Sequence, residues 1–137
     1  MKEAIVPLGY VLFTELGAYL PHVEMGIMAL ESNQNTINAL PVKMFDYMSF
    51  GLPTVASDLP EIRRLNEKYE VALLVDTLSA EAIAGGILRL LHDDALRRRL
   101  GEAGLRAVAE EYSWEHMEKR LQALYRQLLT RRKGDRD

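Results

Sequence analysis

The chain contains no cysteine. That excludes a disulfide framework and any metal site built on cysteine thiolates, and it fits a reducing compartment. Neither sign of charge dominates. A formal net charge of -3 gives no global pull toward nucleic acid, and none is expected as a partner. No apolar run approaches the roughly 20 residues of a membrane span. The opening residues, MKEAIVPLGYVLF, carry one lysine followed at once by a glutamate and no long apolar block, so they do not read as a signal peptide. The cytoplasm is the expected location. There is no internal repeat at solenoid spacing and no low-complexity segment.

What is present is enough for one core. With 137 residues, 48% hydrophobic and 27% charged, the chain is long enough for a single globular domain and too short for two. Ala4 to Leu8 and Glu24 to Leu30 are apolar runs rich enough to be strands covered on both faces. Between them, Thr14 to Leu20 is expected as a short helix capped by Thr14 and ended by Pro21. The polar run ESNQNTIN, residues 31–38, lacks periodicity and reads as an exposed loop.

Next comes ALPVKMFDYMSFGLPTVAS, Ala39 to Ser57. Val42, Phe45 and Met48, with Met44 beside Met48, give a helix with one buried stripe. Pro41 suits its first turn and Gly51 its C-terminal cap, and Pro53 bars continuation. Residues 53–57 read as a buried strand. Asp58 with Glu61 forms a capping-box pattern for a helix to about Asn66, and Val71 to Val75 is the next strand. Beyond Ser79 the period is helical throughout. Ile83, Ile87, Leu90 and Leu91 line one helix; Leu96, Leu100, Leu105 and Val108 line a second; Met117, Leu121, Leu124, Tyr125 and Leu128 line a third, opened by Ser113 with Trp114 as a packed anchor. The tail from 131, RRKGDRD, is too polar to pack and is expected to be disordered, leaving a domain over 1–130. Strands alternating with helices imply an α/β domain around a mainly parallel sheet of about four strands, with a helical C-terminal extension.

In such sheets ligands bind beyond the carboxyl ends of the strands. The loop into the 41–50 helix fits that position, and its helix start offers unpaired N–H groups and a positive dipole end suited to phosphate. Lys43 adds a mobile positive charge there. Asp46, one turn further along near the same face, can accept hydrogen bonds from vicinal hydroxyls. Phosphate with a diol describes a nucleotide or a nucleotide sugar. The competing reading is an ordinary solvated pair at i, i+3, worth a few tenths of a kcal/mol, and the residues by themselves leave both open. His22, His92 and His116 read as loop or helix residues, His-Asp-Asp at 92–94 as a helix end and cap. No metal and no bound cofactor is expected.

The segment from Asn38 to Ile62 resembles the donor-site segment of GT-B glycosyltransferases of the large group 1, or family 4, type. That pattern is P-x-K-x-F-E-Y-M-x-x-G-x-P-V-V-A-S-D-x-P-E-I. The likeness continues through Leu73-Leu-Val-Asp76, Leu90 to Asp94 and Tyr112-Ser-Trp-Glu115, and upstream through Gly9-Tyr-Val and Tyr19 to Ile27. It implies a Rossmann-like, donor-binding GT-B domain that transfers sugar from a nucleotide diphosphate sugar to an acceptor hydroxyl without a bound metal. It further implies that Asp46 holds the ribose and that Asn38, Leu40, Pro41, Val42 and Lys43 face the diphosphate and sugar. Gly9 and Tyr10 stand where backbone contacts the base. The family's paired glutamates fall here at Asn38 and Asp46, one an amide and one a shorter acid. The resemblance covers only the later part of the second GT-B domain, so turnover by this chain alone is not expected. Its partners would be the nucleotide sugar and either an N-terminal-half polypeptide or a second copy, with at most peripheral membrane contact. A non-catalytic binding or assembly module is the alternative.

Overall fold

In the computed structural model, which describes residues 4–134, three short strands run parallel in the order of the chain: β1 (Gly26–Met28), β2 (Thr54–Ser57) and β3 (Ala72–Val75). Gly26 sits opposite Thr54, and Thr54 opposite Ala72. Each crossover holds a helix, α2 (Val42–Ser49) and then α3 (Pro60–Tyr69), as parallel neighbours require. All four residues of the central strand are buried, because it has a strand on either side and helices on both faces.

One core layer packs Met28, Met44, Met48, Ala56, Ile62 and Leu65 with Ala103 and Ala107. The other packs Val55, Leu90, Leu96 and Leu100. Helices α4 (Ala80–His92) and α5 (Asp94–Ala107) complete the body. Ser79 caps α4 by accepting from the Ala82 amide at 3.1 Å, and Asp93 caps α5 by accepting from the Leu96 amide at 2.8 Å.

Helix α2 ends in a Schellman motif. Gly51 at φ +65° donates its amide to Met48, and Leu52 donates to Tyr47 at 2.9 Å. The carbonyl of Gly51 then meets Gly101 of α5, where an added Cβ would lie 2.1 Å from that oxygen. Backbone therefore touches backbone, and α2 is seated directly on α5.

Several expectations are corrected. Ala4 to Leu8 forms no strand; Ile5 and Val6 stand about three-quarters exposed. A strand of this kind is stabilised by neighbours on its edges, and no described residue pairs with it, so the described sheet has three strands rather than about four. Thr14 caps nothing. A 3-10 turn starts at Phe13, Glu15 reaches back to the Leu12 amide at 2.9 Å, and Pro21 lies within a second turn after α1 (Leu16–Tyr19) instead of ending the helix. The Asp58–Glu61 capping box is also absent. Leu59 is the N-cap of α3, and Asp58 is turned to Arg63, bonding Nε and Nη2 at 2.7 Å each. A two-bond contact with a guanidinium is stronger than one with an amide.

After α5 the chain makes a π turn, Val108–Tyr112, and enters α6 (Trp114–Gly134). Trp114 is no packed anchor, being 73% exposed, and the stripe Leu121, Leu124, Tyr125, Leu128 faces solvent. The helix leaves the body, so its apolar face stays largely uncovered among the described residues. The helix also runs on to Gly134, past the expected start of the tail at 131; residues 135–137 lie outside the described residues.

Candidate functional site

Because the strands are parallel, their carboxyl ends share one edge of the sheet. There Leu30, Ser32, Ser57, Asp58, Asp76 and Thr77 line a cavity of about 280 Å³. Its polar groups are largely engaged. The buried Ser57 hydroxyl accepts from the Leu30 amide at 2.6 Å and turns its proton toward the carbonyls of Leu30 at 2.9 Å and Met28 at 3.1 Å. Thr77 donates to the same Leu30 carbonyl at 2.9 Å. Leu30 is thus pinned where the chain leaves β1. Asp58 is held by Arg63, whose hydrogen bonds lower its pKa, and Asp76 accepts from the Leu78 amide at 2.9 Å.

From Leu30 the chain runs as a loop built on its own turns. Asn33 accepts the amides of Asn35 and Thr36 through its side chain, at 2.9 and 3.2 Å, an Asx turn. The loop carries exposed Asn38 and half-buried Ala39, Leu40 and Pro41 to the start of α2. Leu40 packs on the core edge. Pro41 is the N-cap and no side chain caps the helix. The Pro41 carbonyl receives the Met44 amide at 2.9 Å, while the amides of Val42 and Lys43 have no hydrogen-bond partner among the described residues. Two donors at a positive helix end are thereby left to solvent or to a ligand.

The burial of Met44 and Met48 fixes the rotation of α2. Val42 and Lys43 are consequently exposed, and Asp46 is half-buried at the helix flank. Neither Lys43 nor Asp46 forms an ion pair among the described residues; the six pairs present lie elsewhere. Desolvation raises the pKa of Asp46. Burial, and then the Asp46 charge, raises that of Tyr47. The Tyr47 ring lies over the β1 backbone at Gly26, where a Cβ would come within 2.4 Å of it. Only glycine admits the ring there, and the contact ties α2 to the strand beneath.

Leu40, Pro41, Val42, Lys43 and Asp46 therefore gather at one helix start, with Asn38 on the loop beside it. Gly9 and Tyr10 stand apart in an extended, exposed segment; Gly9 has φ +71° and Tyr10 is 90% exposed. None of the eight lines the strand-end cavity. Asp58 and Asp76, which do, carry a legible signal as the first acids after β2 and β3. Among the described residues no group of three or more His, Cys, Asp and Glu residues is arranged to hold a metal ion, and no helix is long and apolar enough to cross a membrane.

Residues 8–107 match the family model described as "Glycosyl transferases group 1". Phosphatidyl-myo-inositol mannosyltransferase of Mycobacterium leprae is 34% identical over 89 residues, covering 65% of this chain and 24% of that protein. The protein of the same name from Mycobacterium tuberculosis is 34% identical over 88 residues, covering 61% of this chain and 23% of its own length. Among solved structures, sucrose-phosphate synthase from Thermosynechococcus elongatus superposes with a TM-score of 0.78 at 26% identity, over 90% of this chain and 30% of that one. The chain thus spans about a quarter of the length of the curated relatives it matches.

Proposed function

The chain belongs to the group 1 glycosyl transferases, and on that premise we propose that the start of α2 is the donor site of a glycosyltransferase. Its ligand would be a nucleotide diphosphate sugar. The observation that carries this reading is the coincidence of three unpartnered features within two turns: the free amides of Val42 and Lys43, the free Lys43 ammonium, and the partly desolvated Asp46 carboxylate. The amides and Lys43 suit the diphosphate. Asp46 suits two ribose hydroxyls, each donating to the carboxylate. Asn38 and Leu40 border the sugar side, and Gly9 with Tyr10 are proposed for the base.

In the reaction the bond between the anomeric carbon and the diphosphate oxygen breaks, and the nucleoside diphosphate leaves with that bonding pair. The acceptor oxygen bonds to the anomeric carbon, and its proton passes to the departing diphosphate. Cations and oriented amides around the diphosphate favour the leaving group as its charge develops. No metal and no resident cofactor is required in this reading. The acceptor side belongs to a further domain, which fits a chain that matches about a quarter of its relatives. Asn38 favours a second reading, a module that binds donor without turnover, because a neutral amide beside the donor sugar lacks the negative charge with which a carboxylate would stabilise positive charge developing at the anomeric carbon. The lipid in the relatives' printed names supports no more than a peripheral membrane contact.

Calorimetric titration with UDP, GDP and their sugars, GDP-mannose included, tests the site. Saturable binding should appear in the parent chain and weaken by about 10-fold or more in Asp46→Ala and in Lys43→Ala, as loss of a charge-assisted contact requires. Lys43 is exposed and Asp46 is half-buried, and neither forms an ion pair among the described residues, so unchanged circular dichroism is expected. Absence of heat at millimolar nucleotide would overturn the assignment.

A further inference from the structure

Helix α2 and the loop that leads into it are held by different means. The burial of Met44 and Met48 seats the helix in the core, so the Val42 and Lys43 amides and the Asp46 carboxylate keep their places whatever the loop does. The loop has no such seat. Residues 31–38 are exposed apart from half-buried Thr36, and their hydrogen bonds run among themselves: Asn33 accepts the Asn35 and Thr36 amides, and the Thr36 hydroxyl donates to the Glu31 carbonyl at 2.5 Å. A loop bonded to itself keeps its own shape and leaves its placement to its two ends. One end is Leu40, on the core edge; the other is Leu30.

Leu30 is held by side chains alone. Its amide donates to the Ser57 hydroxyl at 2.6 Å, and its carbonyl accepts from Ser57 and from Thr77 at 2.9 Å each. Among the described residues no other hydrogen bond joins residues 30–40 to the rest of the chain. Ser57 is 1% exposed, so water cannot stand in for it. A buried hydroxyl costs stability unless its bonds are made. Here it accepts one proton and turns its own toward the carbonyls of Leu30 and, at 3.1 Å, Met28. All of these bonds go to backbone at the exit of β1.

We propose that Ser57, assisted by Thr77, is a positioning residue for the sugar side of the donor site, acting through Leu30 on the loop that carries Asn38 and Leu40. This role rests on the donor-site reading above and divides the ligand in two. The nucleotide meets groups fixed on α2, whereas the sugar meets groups whose placement depends on Leu30. A loop that holds the competent placement only part of the time lowers apparent affinity by that fraction. The loss falls on the nucleotide sugar and spares the bare nucleotide.

Titration of the full chain with GDP and GDP-mannose, and with UDP and UDP-glucose, tests the division, alongside amide hydrogen exchange of residues 30–40. Ser57→Ala leaves the Leu30 amide without its acceptor. It should weaken the nucleotide sugar about 10-fold and the bare nucleotide less than about 2-fold, and it should quicken loop exchange about 10-fold. Thr77→Val, an isosteric change at a half-buried site, removes one of the bonds to Leu30 and should move sugar affinity and loop exchange about 3-fold; it decides the matter if Ser57→Ala does not fold. Val55→Ala truncates the same strand in the other core layer. It should lower stability while leaving loop exchange and the ratio of the two affinities at their parent values. Equal loss of nucleotide and nucleotide sugar in Ser57→Ala, or loop exchange at the parent rate, would overturn this role alone. Absence of binding in the parent chain would overturn the donor-site reading and the role with it.

Discussion

In α2, Met44 and Met48 are 0% and 1% exposed, whereas in α6 Leu121, Leu124 and Leu128 remain 48%, 52% and 49% exposed, although both helices space their apolar residues at helical intervals. The difference lies in what each helix begins and ends against. Helix α2 is bracketed by two strands of one sheet and seated on α5 through the Gly51–Gly101 contact. Helix α6 is tied at its root, by Glu111, and nowhere else by ion pairs among the described residues. Periodicity says which face of a helix is apolar; connectivity decides whether the same chain covers it.

The comparison breaks most completely at Gly101. Alanine there would drive Cβ into the Gly51 carbonyl, a backbone atom that cannot rotate away. A loss of about 3 kcal/mol or more is expected, read as a lowered denaturation midpoint; wild-type stability would mean that α2 and α5 are free to separate. A matched pair sharpens the contrast further. Met44→Ala should cost about 2–5 kcal/mol as a truncation in a closed core, while Leu124→Ala on α6 should stay within about 0.5 kcal/mol at concentrations where the chain is monomeric. Equal costs in urea titration would show that α6 is covered internally after all.

The smallest effect belongs to the root of α6. Arg120, Lys68 and Tyr69 together hold the pKa of Glu111 at about 2, below its ordinary value of 4.5. A carboxylate depressed by folding contributes stability that is whole above about 4.5 and drains as the pH falls toward 2. Glu111→Gln should therefore flatten the acid limb of the stability profile in that window. An unaltered limb would remove Glu111 as the group that fastens α6.

The helices were legible because their signals are local. Ser79 and Asp93 cap where their side chains can reach an amide three residues on, and Gly51 takes the left-handed turn that its position before Leu52-Pro53 suggests. The gathering of Leu40 to Asp46 at a helix start was legible for the same reason. What misled was long-range. The apolar run at Ala4 to Leu8 looks like a strand, but strand identity depends on edges supplied from elsewhere. Asp58 followed by Glu61 looks like a cap until Arg63 competes for the carboxylate with two bonds. Trp114 and the α6 leucines looked like core because helical spacing of apolar residues does not say whether the same chain covers them.

The Glu111 attachment also makes α6 a lever. From Trp114 to Thr130 the helix extends about 24 Å. A rotation of only about 10° at its root would carry the far turn through about 4 Å, roughly three-quarters of the rise of one helical turn. Substitutions around Lys68, Tyr69 or Arg120 can therefore decide where the distant leucines point without touching any of them.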